Sequence, residues 1–130
     1  MRVYLILLVA ASTLFPVSCT TPGDIASLQR RVERNPEGVR AHYDLAVAYL
    51  KRGIEWEGPR NIGIAIIASK RWTKRARNEF QKVIGLDPDF AEPHYWLKVI
   101  YNAQGRYEEA DKESLIYIEL VAREKERSSR

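Results

Sequence analysis

The chain reads as an all-α protein, a short array of about five helices joined as hairpins, and three observations carry that reading. Apolar residues recur at steps of three and four in most segments after residue 24, which gathers them on one face of a helix rather than of a strand. Seven side chains return 52 positions later: Pro36/Pro88, His42/His94, Tyr43/Tyr95, Leu45/Leu97, Val47/Val99, Tyr49/Tyr101 and Gly53/Gly105, with Asn35/Asp87 and Glu37/Asp89 as near matches. A fixed offset marks repeated supersecondary units that cannot bury their apolar faces alone. Finally, 130 residues with 45% apolar and 29% charged composition suit one helical domain and argue against disorder or a polytopic membrane protein.

The first segment reads as an export signal, residues 1–18. Arg2 supplies a positive flank, and Val3 to Phe15 is too short for the ~20 apolar residues of a membrane span but suits a signal core. The only cysteine, Cys19, follows Val17 and Ser18. A solitary Cys in an exported chain has no internal disulfide partner. Residues 20–23 form a turn-rich tether. Asp24 stands as N-cap of a helix carrying Ile25, Leu28 and Val32, which Asn35-Pro36 stops. A second helix is expected from Glu37 to about Arg52, ended or bent by Gly53. After the Gly58-Pro59 loop signal, Ile62, Ala65, Ile66, Ser69, Trp72, Ala76, Phe80 and Val83 predict one long helix to about Gly85. Leu86-Asp87-Pro88 ends it. A fourth helix follows from Phe90 to about Gln104, with Pro93 tolerated in its first turn. Gly105 turns the chain into a fifth, Tyr107 to about Glu126, carrying Ala110, Leu115, Ile118 and Val121, and residues 127–130 form a charged tail.

The run from Asp89 to Leu120 resembles a tetratricopeptide repeat, with Leu97, Tyr101, Gly105, Tyr107 and Ala110 on the signature positions of a 34-residue helix-turn-helix unit. An earlier copy sets Leu45, Ala46, Tyr49 and Gly53 on its first helix and Ala76, Phe80, Val83 and Pro88 on its second. The resemblance divides residues 24–126 into a lone second-type helix at 24–34, repeat one at 37–88 and repeat two at 89–122, with an insertion in repeat one at about 54–71. In the lone helix, Leu28 matches Phe80 and Val32 matches Ile84 at the same offset of 52. Lys98 stands where the family prefers Gly or Ala, and Ser114 and Tyr117 replace a large aromatic and a small residue. The last helix is expected to present Tyr107, Tyr117 and Leu120 at an open end. Cys19 is similarly placed to the lipidated cysteine of bacterial lipoproteins, although Pro16 stands where that family has Leu or Val. That likeness implies lipidation, and Thr20 after the Cys implies outer-membrane sorting. Ordinary cleavage with an unmodified Cys19 is the alternative.

Tetratricopeptide units bind partners on a concave surface made by their first helices. By family position this groove comprises Arg40, Tyr43, Val47, Leu50 and Lys51, then Glu92, Tyr95, Val99, Asn102 and Ala103. Its aromatic and aliphatic pairs would suit a peptide or helix. The alternative is that the tyrosines pack between helices. The carboxylate clamp of chaperone-tail-binding repeats is absent. In the insertion, the apolar run Ile62 to Ala68 precedes a basic patch of Lys70, Arg71, Trp72, Lys74 and Arg75, a pattern shared by membrane-surface helices, partner interfaces and buried segments. Residues 51–82 carry nine bases and three acids, whereas residues 87–120 carry eight acids and three bases, so the molecule is dipolar at a net charge of +4. The bases could meet phosphates, but an exported chain meets little nucleic acid. His42 and His94 read as packing residues at equivalent positions rather than a metal or proton-relay pair. No Ser-His-Asp order, phosphate loop or HExxH motif is present, and no cofactor is implied. The expectation is a lipid-anchored periplasmic protein-binding scaffold or accessory factor of an envelope assembly, secretion or pilus system. The alternative is a structural subunit that self-associates through its open repeat ends, the basic middle of one copy on the acidic repeat of the next.

Overall fold

A computed structural model describes residues 24–57 and 70–130. The segments expected as export signal and tether, with Cys19, and the apolar run Ile62 to Ala68 lie outside these residues. The described chain is all-α, with five helices and no strand: α1 Ile25–Arg34, α2 Val39–Glu57, α3 Lys70–Leu86, α4 Glu92–Ala103 and α5 Tyr107–Ser128. Each packs on its neighbour in sequence, most extensively α2 on α3 and α4 on α5, which form two hairpins side by side with α1 laid against α2.

One continuous core runs through the stack. Leu28 of α1, Leu45, Ala46, Tyr49 and Leu50 of α2, Ala76 and Phe80 of α3, Leu97, Ile100 and Tyr101 of α4 and Ala110 of α5 form it. Ala46, Ala76 and Ala110 are wholly buried, and so let the backbones approach closely at the crossings. The repeat register reappears as contacts. Gln29 Nε2 donates to Tyr49 Oη at 3.1 Å and Gln81 Nε2 to Tyr101 Oη at 3.5 Å, so α1 stands to α2 as α3 stands to α4.

The helix ends follow local chemistry with some departures from expectation. Asp24 occupies the N-cap of α1, but its side chain makes no capping bond; Ser27 Oγ donates to the Asp24 carbonyl at 2.8 Å instead. Helix α2 begins at Val39, not Glu37, because Asn35 to Gly38 form a turn closed by Gly38 N–H to Asn35 O at 3.0 Å. Gly38 belongs there, since a Cβ would lie 3.0 Å from Asn35 Nδ2 and 3.1 Å from its carbonyl oxygen. The equivalent turn at Asp87 is closed by Phe90 N–H to Asp87 O at 3.2 Å, with Asp89 N–H bonded to the Asp87 carboxylate, and it delays α4 to Glu92. The two related glycines then diverge. Gly105 has φ +73° and closes α4 in a Schellman motif, Arg106 N–H to Tyr101 O at 2.9 Å and Gly105 N–H to Asn102 O at 3.0 Å. Gly53 is buried inside α2, which continues through it to Glu57. At 19 residues against the 12 of α4, α2 extends into the segment expected as an insertion, and Lys70 and Arg71, expected at its other end, open α3.

The last helix corrects the expected face. Leu120 is buried and Tyr117 half-buried, while Leu115, Ile118 and Val121 point outward with Tyr107. The core side of α5 is Ala110, Glu113, Tyr117 and Leu120, a stripe at steps of three and four that competes in the sequence with the outward one.

Candidate interaction surface

The residues expected to form a groove divide among three environments. Leu50 faces the core and offers nothing to a partner. Tyr43 is half-buried at the junction of three helices. Its ring lies 5.9 Å from Phe80 and 5.1 Å from Phe90, and its hydroxyl accepts a bond from Trp96 Nε1 at 3.3 Å. Arg40 stacks over the same ring at 5.2 Å and pairs with Asp44 at 3.1 Å. Tyr95 is 39% exposed, and its ring neighbours among the described residues belong to its own hairpin, Trp96 at 5.4 Å and Tyr117 at 5.6 Å, with Lys98 Nζ 4.8 Å over the ring. Equivalent tyrosines therefore differ because the next hairpin covers Tyr43, whereas no helix of the described residues beyond its own hairpin covers Tyr95. Val99 and Ala103 pack against the core, while Glu92 and Asn102 are exposed.

Val47 and Lys51 turn toward α1 and meet the basic patch. Together α1, α2 and the start of α3 bound an open cleft of about 1050 Å³, lined among others by Leu28, Val47, Ala48, Lys51, Trp72 and Arg75. Trp72 is held by stacking: its ring lies 5.8 Å from that of Tyr49, under Arg71 at 5.6 Å and Arg75 at 5.3 Å, and Arg75 also covers Tyr49 at 5.7 Å. Such contacts fix a guanidinium over an aromatic face while leaving its N–H groups to bond elsewhere. Of the lining cations, Arg31 is spent on Asp44 at 3.3 Å, whereas Lys51, Arg52 and Arg75 have no ion pair among the described residues. Asp24 and Asp44 are the lining acids. The cleft thus combines apolar floor, aromatic wall and positive charge that has no ion pair among the described residues. Lys70 and Lys74 are exposed on α3 beside it.

The two histidines prove to be buried partners of glutamates. His42 Nδ1 lies 2.6 Å from Glu79 Oε2 and its Nε2 lies 2.9 Å from the Pro36 carbonyl oxygen; His94 Nδ1 lies 2.6 Å from Glu113 Oε2. Each pair ties the first helix of a hairpin to its second. Each ring nitrogen of His42 thus has an oxygen partner within the fold. The glutamates were legible but unread: Glu79 and Glu113 stand 34 apart, as do Ala76 and Ala110, the period of the second helices. Among the described residues no three His, Cys, Asp or Glu side chains gather as a metal site, and no helix is long and apolar enough to cross a membrane.

No protein-family model matches the chain, and no curated protein is significantly similar to it.

Proposed function

We propose that this protein is a non-enzymatic protein-interaction module of the tetratricopeptide type. In this reading lipid on Cys19 holds it at the periplasmic face of the outer membrane. There it acts as scaffold or accessory factor for an envelope assembly, secretion or pilus complex. The observation that carries the interaction reading is the cleft between α1, α2 and α3, where Lys51 and Arg75 flank Trp72 and the apolar Val47. That chemistry fits a partner segment bearing acidic and apolar side chains, the cations steering and the aromatic anchoring it. The tyrosine groove of the family contributes less, because Tyr43 is engaged in packing.

Site-specific photocrosslinking in intact cells tests the reading. A photoreactive amino acid at position 51 or 75 should capture one discrete envelope protein, and the same group at exposed Asn78 should not. Capture of nothing at the cleft positions, or the same yield at all three, would remove the proposal.

A further inference from the structure

The outward face of α5 has an internal order that the interaction reading does not use. Around Ile118, the residues three, four and seven positions away on either side share one helix face. They are Leu115 and Val121, Ser114 and Ala122, and Asp111 and Lys125. Ile118 is 60% exposed and Leu115 69%, and Val121, Ala122, Asp111 and Lys125 are exposed as well. Neither Asp111 nor Lys125 has an ion-pair partner among the described residues, whereas Arg123 and Arg127, on a different side of α5, reach Asp89 at 3.7 and 3.6 Å. The stripe is therefore apolar in the middle, with opposite charges at equal distances from its centre.

We infer that this face pairs with the same face of a second copy, α5 against α5 in antiparallel orientation about a two-fold axis at Ile118. An isologous contact requires a self-complementary patch, and this stripe is self-complementary only when one copy is reversed. Reversal sets Asp111 against the partner's Lys125 at both ends and Leu115 against the partner's Val121. A parallel pairing would stack Asp111 on its own copy and Lys125 on its own copy, which is repulsive. A head-to-tail contact onto α1 would set the apolar stripe on a mostly polar face, because the outward residues of α1 include Ala26, Gln29, Arg30 and Glu33. The face that α5 leaves open also continues the established stacking: Ile118 stands 34 residues after Ile84, which is packed against the core. The stripe from 111 to 125 is about 21 Å long at 1.5 Å per residue. One helix face of that length buries less than the ~800 Å² per partner of a standard interface, so the dimer is a weak, reversible one.

Sedimentation equilibrium of the full chain in detergent, across a wide concentration range, tests this. A monomer–dimer equilibrium is expected. Ile118→Glu places two carboxylates on the axis and should weaken dimerisation by roughly a hundredfold or more. Asp111→Lys and Lys125→Asp alone each turn two attractions into repulsions and should weaken it about tenfold, while the double exchange restores it. All three positions are exposed, and an unchanged helical spectrum verifies folding. A monomer at every concentration would overturn the inference and leave the stripe to a different protein. So would a dimer indifferent to Ile118→Glu, or charge reversals that the double exchange fails to rescue.

Discussion

Breaking the His42–Glu79 pair probes the hairpin at a buried polar contact, and the cost follows from the burial of each partner. The His42 side chain is 1% exposed and that of Glu79 23%, at 2.6 Å separation. Glu79→Ala strips an acceptor from a ring that water cannot reach, so the loss is the desolvation penalty of an unsatisfied buried group, about 1–3 kcal/mol. His42→Ala leaves Glu79 beside solvent, which relieves the polar penalty, but it empties a fully buried side-chain volume between α2 and α3, costing about 2–4 kcal/mol by analogy with other large-to-small core changes. The double variant should cost less than the sum by about 1–2 kcal/mol, the coupling of one short, largely buried pair. Urea unfolding followed by circular dichroism, with an unchanged slope, measures all three. His94 and Glu113 occupy the same relation at 2.6 Å, with 6% and 19% exposure, so their cycle should give a similar coupling. Single losses below ~0.5 kcal/mol, the range of ordinary surface substitutions, or a coupling of zero at both pairs, would refute the argument.

Replacing Ala76 or Ala110 with Leu forces added methylenes into fully buried helix crossings and should cost about 1–3 kcal/mol, read as a lower denaturation midpoint. Tyr43→Ala should cost about 2–4 kcal/mol of folding stability because its ring and hydroxyl join three helices, whereas Tyr95→Ala should cost under ~1 kcal/mol. Equal losses would mean that the end of the repeat makes no difference. The Arg106 guanidinium, hydrogen-bonded to Glu109 at 2.7 Å, holds that carboxyl below its ordinary range. The small stabilisation it confers is therefore present above the unfolded carboxylate's titration and lost as pH falls through the lowered one. In an NMR titration Arg106→Ala should raise the Glu109 midpoint toward the ordinary value, and an unmoved midpoint would contradict this cause.

Much of the architecture was readable because it is written twice. The 52-residue offset located both first helices and both Asx-Pro turns, and the contacts of Gln29 with Tyr49 and of Gln81 with Tyr101 follow it. Where the reading failed, identical residues met different surroundings. Gly53 and Gly105 match in sequence, yet one lies inside a continuing helix and the other has φ +73°. Tyr43 and Tyr95 match, yet among the described residues only the former is covered by a neighbouring hairpin. On α5 two apolar stripes overlap, and periodicity alone does not say which one the preceding helix covers. The cleft was the least legible feature. It joins Val47 and Lys51 from one expected site with Trp72 and Arg75 from another, and the packing of α2 on α3, with α1 as the third wall, brings them together.

The most direct measurement is the affinity of the captured partner's segment for the full chain by calorimetry, comparing the wild type with Arg75→Glu and Lys51→Glu. Each reversal removes a cation from the cleft and should weaken binding by about tenfold or more with helicity unchanged; melting should be unchanged for the exposed Lys51→Glu and lower for Arg75→Glu, which gives up its stacking on Trp72 and on the core ring of Tyr49. Affinity that is unaltered in both folded variants would contradict the cleft as the binding surface.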